Sequence, residues 1–235
     1  MKISVCMATY NGEKYIKEQI DSILCQLSID DELIISDDGS TDNTINIINL
    51  YDDDRIKLFH SDKKNLISNF ENALYKARGD IIFLSDQDDI WTKNKVEICK
   101  KELEHNLLVF SNAQVFVSGD IKKSKKQLIK SDFINGTLSN IYKNKFVGAT
   151  MAFNKSILKK ALPFPKDIAM HDIWLGLIAT SIGNTFFIDE PLIQYRRHDN
   201  NASNTGGSSD LSFKEKIRYR IILIYRLLLR LYLNK

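Results

Sequence analysis

Apolar residues arrive along this chain in short dense runs separated by polar turns, and two of those runs end in clustered carboxylates. Ile3 to Ala8 reads as a buried strand of a parallel sheet. Thr9-Tyr10-Asn11-Gly12 follows as a turn, with Asn-Gly tolerating positive φ. From about Glu13 to Leu27, Tyr15, Ile16, Ile20, Ile23, Leu24 and Leu27 recur at helical spacing. Glu32 to Ser36 is a second strand, closed by Asp37-Asp38-Gly39, with Ser40, Thr41 and Asp42 as capping types for the next helix. Ile56 to Phe59 is a short third strand, and Ser68-x-x-Glu71 predicts a capping box opening a helix to about Ala77. Asp80 to Ser85 is a fourth buried strand, running into Asp86-Gln87-Asp88-Asp89-Ile90-Trp91. Four strands alternating with three helices form a Rossmann-like half of an α/β fold.

The second half is less regular. A helix is expected over about Thr92 to His105, weakly alternating strands from Leu107 to Ser118 with a turn at Ser118-Gly119, and an exposed basic loop from Lys122 to Lys130. Phe146 to Phe153 reads as a buried strand in which Gly148-Ala149-Thr150 admits close approach of another group. Asn154 caps a short helix to Ala161, Pro163 and Pro165 break the chain, and His171-Asp172 opens a helix to about Ile182. Thr185 to Ile188 and Leu192 to Tyr195 are late strands, and Gly206-Gly207-Ser208-Ser209 is a linker.

Composition narrows the class. With 235 residues and 43% hydrophobic content the chain supports one full core plus an appendage. The net charge of +3 implies no general affinity for nucleic acid, but residues 211–235 carry +6, leaving −3 on the rest. Cys6, Cys25 and Cys99 form neither a metal spacing nor a disulfide framework, which fits a reducing compartment. Met1-Lys2-Ile3-Ser4 runs straight into a strand, so no signal peptide is expected, and no apolar run reaches the ~18 residues of a spanning helix.

The candidate chemistry lies at the strand ends. Ligands of open α/β sheets bind outside the carboxyl ends of the strands, where Asp37-Asp38 and Asp86, Asp88 and Asp89 are expected. Carboxylates that close repel unless a cation or hydrogen-bond donors offset them. Such oxygen ligands suit Mg²⁺ or Mn²⁺ bridging to substrate phosphates. The plainer reading of Asp86 to Asp89 is a solvated acidic turn capping the helix near Thr92, and that of the second strand end is simple capping, which accounts for Ser40 to Asp42 better than for the adjacent Asp37-Asp38. The missing glycine and distant Glu exclude an EF-hand, and the missing G-x-G-x-x-G argues against a dinucleotide cofactor.

Val5-Cys6-Met7-Ala8-Thr9-Tyr10-Asn11-Gly12, Ile35-Ser36-Asp37-Asp38-Gly39-Ser40-Thr41-Asp42 and Leu84-Ser85-Asp86-Gln87-Asp88-Asp89-Ile90-Trp91, in this order and each at a strand end, resemble the family-two glycosyltransferases of the inverting GT-A type over roughly residues 2–200. Ser85 to Trp91, Met170-His171-Asp172 and Tyr195-Arg196-Arg197-His198 look like that family's bacterial rhamnosyltransferase-like branch, which uses dTDP-L-rhamnose to build surface polysaccharides such as O-antigen and capsule. The resemblance implies a nucleotide-sugar-binding half at 1–105 and an acceptor-binding half at 106–205 around a mixed central sheet, followed by a linker and amphipathic helix at 206–235. It implies that Thr9, Tyr10 and Asn11 line the nucleotide pocket, that Asp38 holds the base, and that Asp86 contacts the ribose region, with Gln87 in the same donor-binding stretch. Asp88 would bind Mn²⁺ or Mg²⁺, His198 would complete that site, and Asp172 would be the catalytic base. The family often has Glu-Asp or Asp-Asp where this chain has His171-Asp172. The donor implied is dTDP-rhamnose, with a UDP-hexose or UDP-HexNAc as alternative, and the acceptor a saccharide, in particular a lipid-linked one.

Two other classes compete. A sugar-nucleotide pyrophosphorylase would share the Rossmann-like half but want a Gly-rich phosphate loop, of which Thr9 to Gly12 is a poor version. A non-catalytic membrane-bound scaffold would keep the fold without needing Asp88 and Asp172. In the tail, Ile217, Ile221, Ile224, Tyr225, Leu228, Leu231 and Tyr232 share one helical face, while Lys214, Arg218, Arg226 and Arg230 gather opposite. That pattern predicts a helix on the inner face of a membrane, peripheral and cytoplasmic; the alternative is a helix docked on the catalytic core.

Overall fold

The structure is a computed structural model that describes residues 1–117, 126–129, 136–142, 144–198 and 212–233. In chain order the strands and α-helices are β1 (Ile3–Thr9), α1 (Ile16–Leu24), β2 (Glu32–Asp37), α2 (Thr44–Asn49), β3 (Ile56–His60), α3 (Leu66–Lys76), β4 (Ile81–Asp86), β5 (Ile90–Trp91), α4 (Lys95–Glu102), β6 (Leu108–Val117), β7 (Lys126–Gln127), α5 (Thr137–Tyr142), β8 (Met151–Asn154), α6 (Leu158–Ala161), α7 (His171–Ile182), β9 (Thr185–Arg197) and α8 (Phe213–Leu228). The predicted turn at Ser118-Gly119, most of the basic loop and the Gly206–Ser209 linker lie outside the described residues.

Among the described residues all the strands join one mixed sheet in the order β3-β2-β1-β4-β8-β6-β9-β5, with β7 beside β6. β1 pairs in parallel with both β2 and β4, so the strand order reverses at β1. Thr9 of β1 lies opposite Asp37, and Ala8 opposite Asp86. The two acidic strand ends therefore flank one crevice, where an open α/β sheet binds its ligand. Beyond β4 the pairing with β8 is antiparallel, which brings the second half of the chain onto the edge of the first.

Successive strand residues point to opposite faces, and both faces are covered. Cys6, Ala8, Ile82 and Leu84 pack on one side with Phe70 and Leu74 of α3 and with Trp174 and Ile178 of α7. Val5, Met7, Ile35 and Phe83 pack on the other with Ile16, Ile20 and Ile23 of α1 and with Val96 and Cys99 of α4. The three cysteines are free.

The structure corrects several predicted elements. Helix α3 starts earlier than its supposed capping box: Asn65 caps it by accepting from the Ser68 N–H (2.9 Å), and Glu71 accepts from the Phe164 N–H instead. Helix α4 starts late because Ile90 and Trp91 pair with β9 and the Thr92 N–H donates to the Leu192 carbonyl (3.0 Å), holding the chain extended. The strand expected from Phe146 begins only at Met151, after a 3₁₀ turn at Gly148–Thr150. The two late strands are one, β9, with register irregularities against β6 around Ser111 and Asn112 that take in Pro191, which has no N–H for a regular ladder.

Helix α8 is closed at its start by a full capping box of Ser212 and Glu215. It docks on the core through the side that carries Leu223 and Leu227 with Arg220, Arg226 and Arg230. Leu223 and Leu227 are 4% and 6% exposed. Arg220 donates to the Ile141 and Tyr142 carbonyls, Arg226 pairs with Asp167 (2.9 Å), and Arg230 donates to the Lys160, Leu162 and Pro163 carbonyls. Six of the seven residues of the predicted apolar face point outward, Ile217, Ile221, Ile224, Tyr225, Leu228 and Tyr232 being exposed, while Leu231 packs against the core. Arg226 and Arg230, read in the sequence as part of the basic side opposite the apolar face, are committed to the core. Among the described residues, no helix is long and apolar enough to cross a membrane.

Candidate active site

The crevice at β1 opens into a cavity of about 430 Å³. It is lined from the β1 end by Thr9 and Tyr10, from β2 by Asp38, from β4 by Asp86, Gln87 and Asp88, and from the start of α7 by His171 and Asp172. Lys64, Asn65, Leu66 and Asn69 add a wall from the start of α3, and Val147 and Gly148 another from the turn before β8. Most of the predicted site residues therefore meet in one place.

The paired acids after β2 divide their work. Asp37 accepts from the N–H groups of Gly39 and Ser40 (2.9 and 2.8 Å) and from the hydroxyls of Thr9 and Ser40, so it builds the turn. Gly39 has φ of +84°, which a side chain would strain. Asp38 is buried, and its Oδ1 has no partner among the described residues. Burial pushes its carboxyl above the usual range. A buried, unpartnered acceptor in a cavity wall is a group awaiting a donor from a ligand. Asn69 presents another, its Oδ1, while its amide donates to the Thr9 carbonyl (3.1 Å).

The β1 turn is clamped on both sides. Gln87 accepts from the Tyr10 N–H and donates to the Tyr10 carbonyl, both at 2.9 Å. Asn11, at φ of 47°, accepts from the Thr41 N–H (2.8 Å), so its side chain ties the β1 and β2 turns together and does not line the cavity.

The acidic loop after β4 is held by Gln19, Arg196 and Lys95, a role that no local motif signals. Gln19 of α1 donates to the Ser85 hydroxyl and the Asp86 carbonyl. Arg196 of β9 donates its backbone N–H to Asp89 (2.9 Å) and its Nε to the Asp88 carbonyl (2.7 Å). Its guanidinium pairs with Glu18 and lies over the rings of Tyr15 and Phe116. Lys95 is fully buried, donates to the Ala149 carbonyl (2.9 Å) and sits over Trp91; burial lowers it to about 8. Burial, and then the charges of Asp88 and Asp172, raise Asp86 to about 7, against which Lys95 acts. Burial likewise pushes Asp89 well above its ordinary value.

His198 meets Asp88 at 2.7 Å, with its ring stacked on Tyr15. Both side chains are largely buried. A carboxylate and an imidazole in contact beside the cavity suit a hard divalent cation that keeps positions open for phosphate oxygens. Among the described residues no three His, Cys, Asp or Glu side chains form a complete cage, so the fit is to a cation shared with a substrate.

Asp172 lies in the first turn of α7. It accepts from the Ile173 N–H (2.6 Å) and, more weakly, from the Gly148 N–H (3.3 Å). Burial raises it to about 6 despite those bonds. A carboxylate with that affinity for a proton is well matched to a general base near neutral pH. A side chain at Gly148 would meet His171 Nε2 at 2.9 Å, so glycine is what lets the turn close over α7.

Comparison with known proteins agrees with this geometry. The family model described as Glycosyl transferase family 2 matches residues 4–162. The dTDP-rhamnosyl transferase RfbG of Shigella flexneri is 32% identical over 237 residues, covering 90% of this chain and 77% of that protein. The UDP-Glc:alpha-D-GlcNAc-diphosphoundecaprenol beta-1,3-glucosyltransferase WfgD of Escherichia coli is 29% identical over 182 residues, covering 75% of this chain and 69% of the relative. Among solved structures, S. aureus TarS 1-349 in complex with UDP-GlcNAc superposes with a TM-score of 0.74 at 22% identity, over 95% of this chain and 66% of that one. The mannosyltransferase PcManGT from Pyrobaculum calidifontis, solved with GDP-Man and Mn²⁺, superposes with a TM-score of 0.62 at 18% identity, over 98% of this chain and 70% of that one.

Proposed function

The chain belongs to glycosyl transferase family 2 and has the GT-A fold, and from that footing we propose that it moves L-rhamnose from dTDP-L-rhamnose to a hydroxyl of a saccharide, with inversion at the anomeric carbon. The observation that carries the reading is the single cavity in which Asp38, Asp86, Asp88 and Asp172 converge at the reversal of strand order. The rhamnosyl donor is favoured by the 32% identity to a dTDP-rhamnosyl transferase. A UDP-hexose is the second reading, favoured by the glucosyltransferase relative.

The chain's own groups account for the transfer. The unpartnered Asp38 oxygen accepts from the pyrimidine, and Asp86 stands beside the ribose. Asp88 and His198 would hold Mn²⁺ or Mg²⁺ against the diphosphate. That ion offsets charge on the leaving group when bound. Asp172 removes the proton from the acceptor hydroxyl, the hydroxyl oxygen forms its bond to C1, and the C1–O bond to the diphosphate breaks with its electron pair going to phosphate oxygen. One displacement with one base inverts the centre, whereas retention by double displacement would need a carboxylate nucleophile on the opposite face. Residues 1–105 act as the donor half and 106–205 as the acceptor half.

The outward apolar face of α8, with Lys214 and Arg218 beside it, supports attachment to an anionic membrane surface, where a lipid-linked acceptor would be met. Incubation with dTDP-L-rhamnose, Mn²⁺ and a lipid-linked saccharide tests the transfer: stoichiometric release of dTDP with a new glycosidic bond is expected, and no release with any nucleotide sugar sinks the reading. Co-sedimentation with anionic vesicles tests the surface. Ile221→Glu with Leu228→Glu, which removes apolar area and adds like charge against the anionic surface, is expected to abolish sedimentation without loss of folding, and an unaltered protein that stays in the supernatant contradicts it.

A further inference from the structure

His171 is a polar group of the cavity wall that the transfer chemistry above leaves without work. It is 2% exposed, and neither ring nitrogen has a hydrogen-bond partner among the described residues. Its ring stacks on Phe70 with centroids 4.0 Å apart, and Gly148 leaves open the side that any larger residue would fill. The ring is thus held by packing alone, with both nitrogens uncommitted. A buried polar ring left without partners is costly, and its retention in a cavity wall calls for a ligand that satisfies it.

Its location along the cavity selects the ligand. The cavity runs across the ends of β2, β1 and β4 to the turn before β8. Three strand spacings are roughly 14 Å, long enough to separate a base beside Asp38 from a sugar beside Gly148. His171 lies at the Gly148 end, next to Asp172. A neutral imidazole offers one N–H donor and one lone pair, the same complement that a hydroxyl presents. Desolvation keeps this ring neutral, holding it down to about 3, so it suits a hydroxyl better than a phosphate.

We propose that His171 is a sugar-recognition residue, hydrogen-bonding a hydroxyl of the saccharide at the reaction centre. This rests on the nucleotide-sugar reading of the same cavity, and two arms separate the possible owners of the hydroxyl. In the first, calorimetry compares dTDP with dTDP-L-rhamnose on the unaltered protein and on His171→Phe, which keeps a ring against Phe70 but no nitrogen. In the second, the affinity of methyl N-acetylglucosaminide is measured with dTDP and Mn²⁺ present. A loss of about tenfold, the size of one hydrogen bond, is expected for dTDP-L-rhamnose if the hydroxyl is the donor's and for the glycoside if it is the acceptor's. Affinity for dTDP itself stays within about twofold, and His171→Asn recovers part of the loss.

Unchanged affinity in both arms for a folded His171→Phe overturns the assignment. Should that variant fail to fold, ring ¹⁵N shifts of His171 in the unaltered protein decide the matter. Movement on adding dTDP-L-rhamnose or the glycoside, beyond that caused by dTDP, supports the assignment, and none refutes it. An unaltered protein that binds neither dTDP nor UDP loses the nucleotide-sugar reading, and His171 with it.

Discussion

Replacing Asp172 by Asn separates catalysis from folding in opposite directions. The substitution is isosteric and keeps an acceptor for the Ile173 N–H, but it cannot take a proton. Removing a general base costs about 10²–10⁴ in rate, or ~2.7–5.4 kcal/mol of transition-state stabilisation. Stability moves the other way. The folded pKa of about 6 stands above the ordinary 3.8 because burial opposes the charge. Ionisation therefore destabilises the folded protein. The penalty is absent below about pH 4, grows as pH rises, and is complete above about pH 6. Roughly two units amount to ~3 kcal/mol, and weakening the Gly148 hydrogen bond returns ~1 kcal/mol of it. At pH 7.5 the variant is expected to melt ~4–8 °C above the parent, with the gap closing near pH 4.5. The parent's kcat/KM is expected to fall about tenfold between pH 7 and pH 5 as the base protonates. Initial rates of nucleoside diphosphate release and thermal melts at both pH values read this out. A variant that keeps the parental rate, or that loses activity while melting lower at both pH values, would refute the reasoning.

Asp88→Asn leaves the fold intact but is expected to remove most turnover and the Mn²⁺-dependence of donor affinity; equal parental affinity in EDTA would count against the cation site. Gly148→Ala places a methyl 2.9 Å from His171 Nε2 and 3.6 Å from Asp172 Cβ, so activity is expected to fall at least tenfold with a much smaller change in melting temperature. Leu227→Ala, on the docked side of α8, is expected to cost ~2–4 kcal/mol by chemical denaturation, while Ile221→Ala on the outward face changes stability by no more than about 0.5 kcal/mol; equal effects would mean that the helix is not docked as described.

Much of this site was legible because its chemistry sits where periodic elements end. The apolar runs of β1, β2 and β4 located the carboxyl edge, and the acids printed there, Asp38, Asp86 and Asp88, do line the cavity. Local pattern could not distinguish Asp37 from its neighbour, because one builds a turn and the other faces a void only once Thr9 and Ser40 have come together. The roles of Lys95, Gln19 and Arg196 in holding the acidic loop were hidden for the same reason, although Arg196 stands in a motif that the resemblance quotes. Each is an ordinary helix or strand residue whose role comes from contacts 54 to 108 positions away. The capping box at Ser68 failed because Asn65, three residues earlier, offered the cap first. In α8 the apolar stripe was read correctly as a face, but which face meets the core depended on Asp167 and the carbonyls around Pro163. No helical period reports those partners.

The most direct test of the whole account is calorimetric titration of dTDP-L-rhamnose into the full chain with Mn²⁺, repeated with Asp38→Asn and Asp88→Asn. Saturable binding at one site per chain, weakened at least tenfold by either substitution, is the predicted result. Absence of binding by dTDP-, UDP- and GDP-sugars alike, or binding that both variants leave untouched, would contradict the assignment of this cavity as a nucleotide-sugar site.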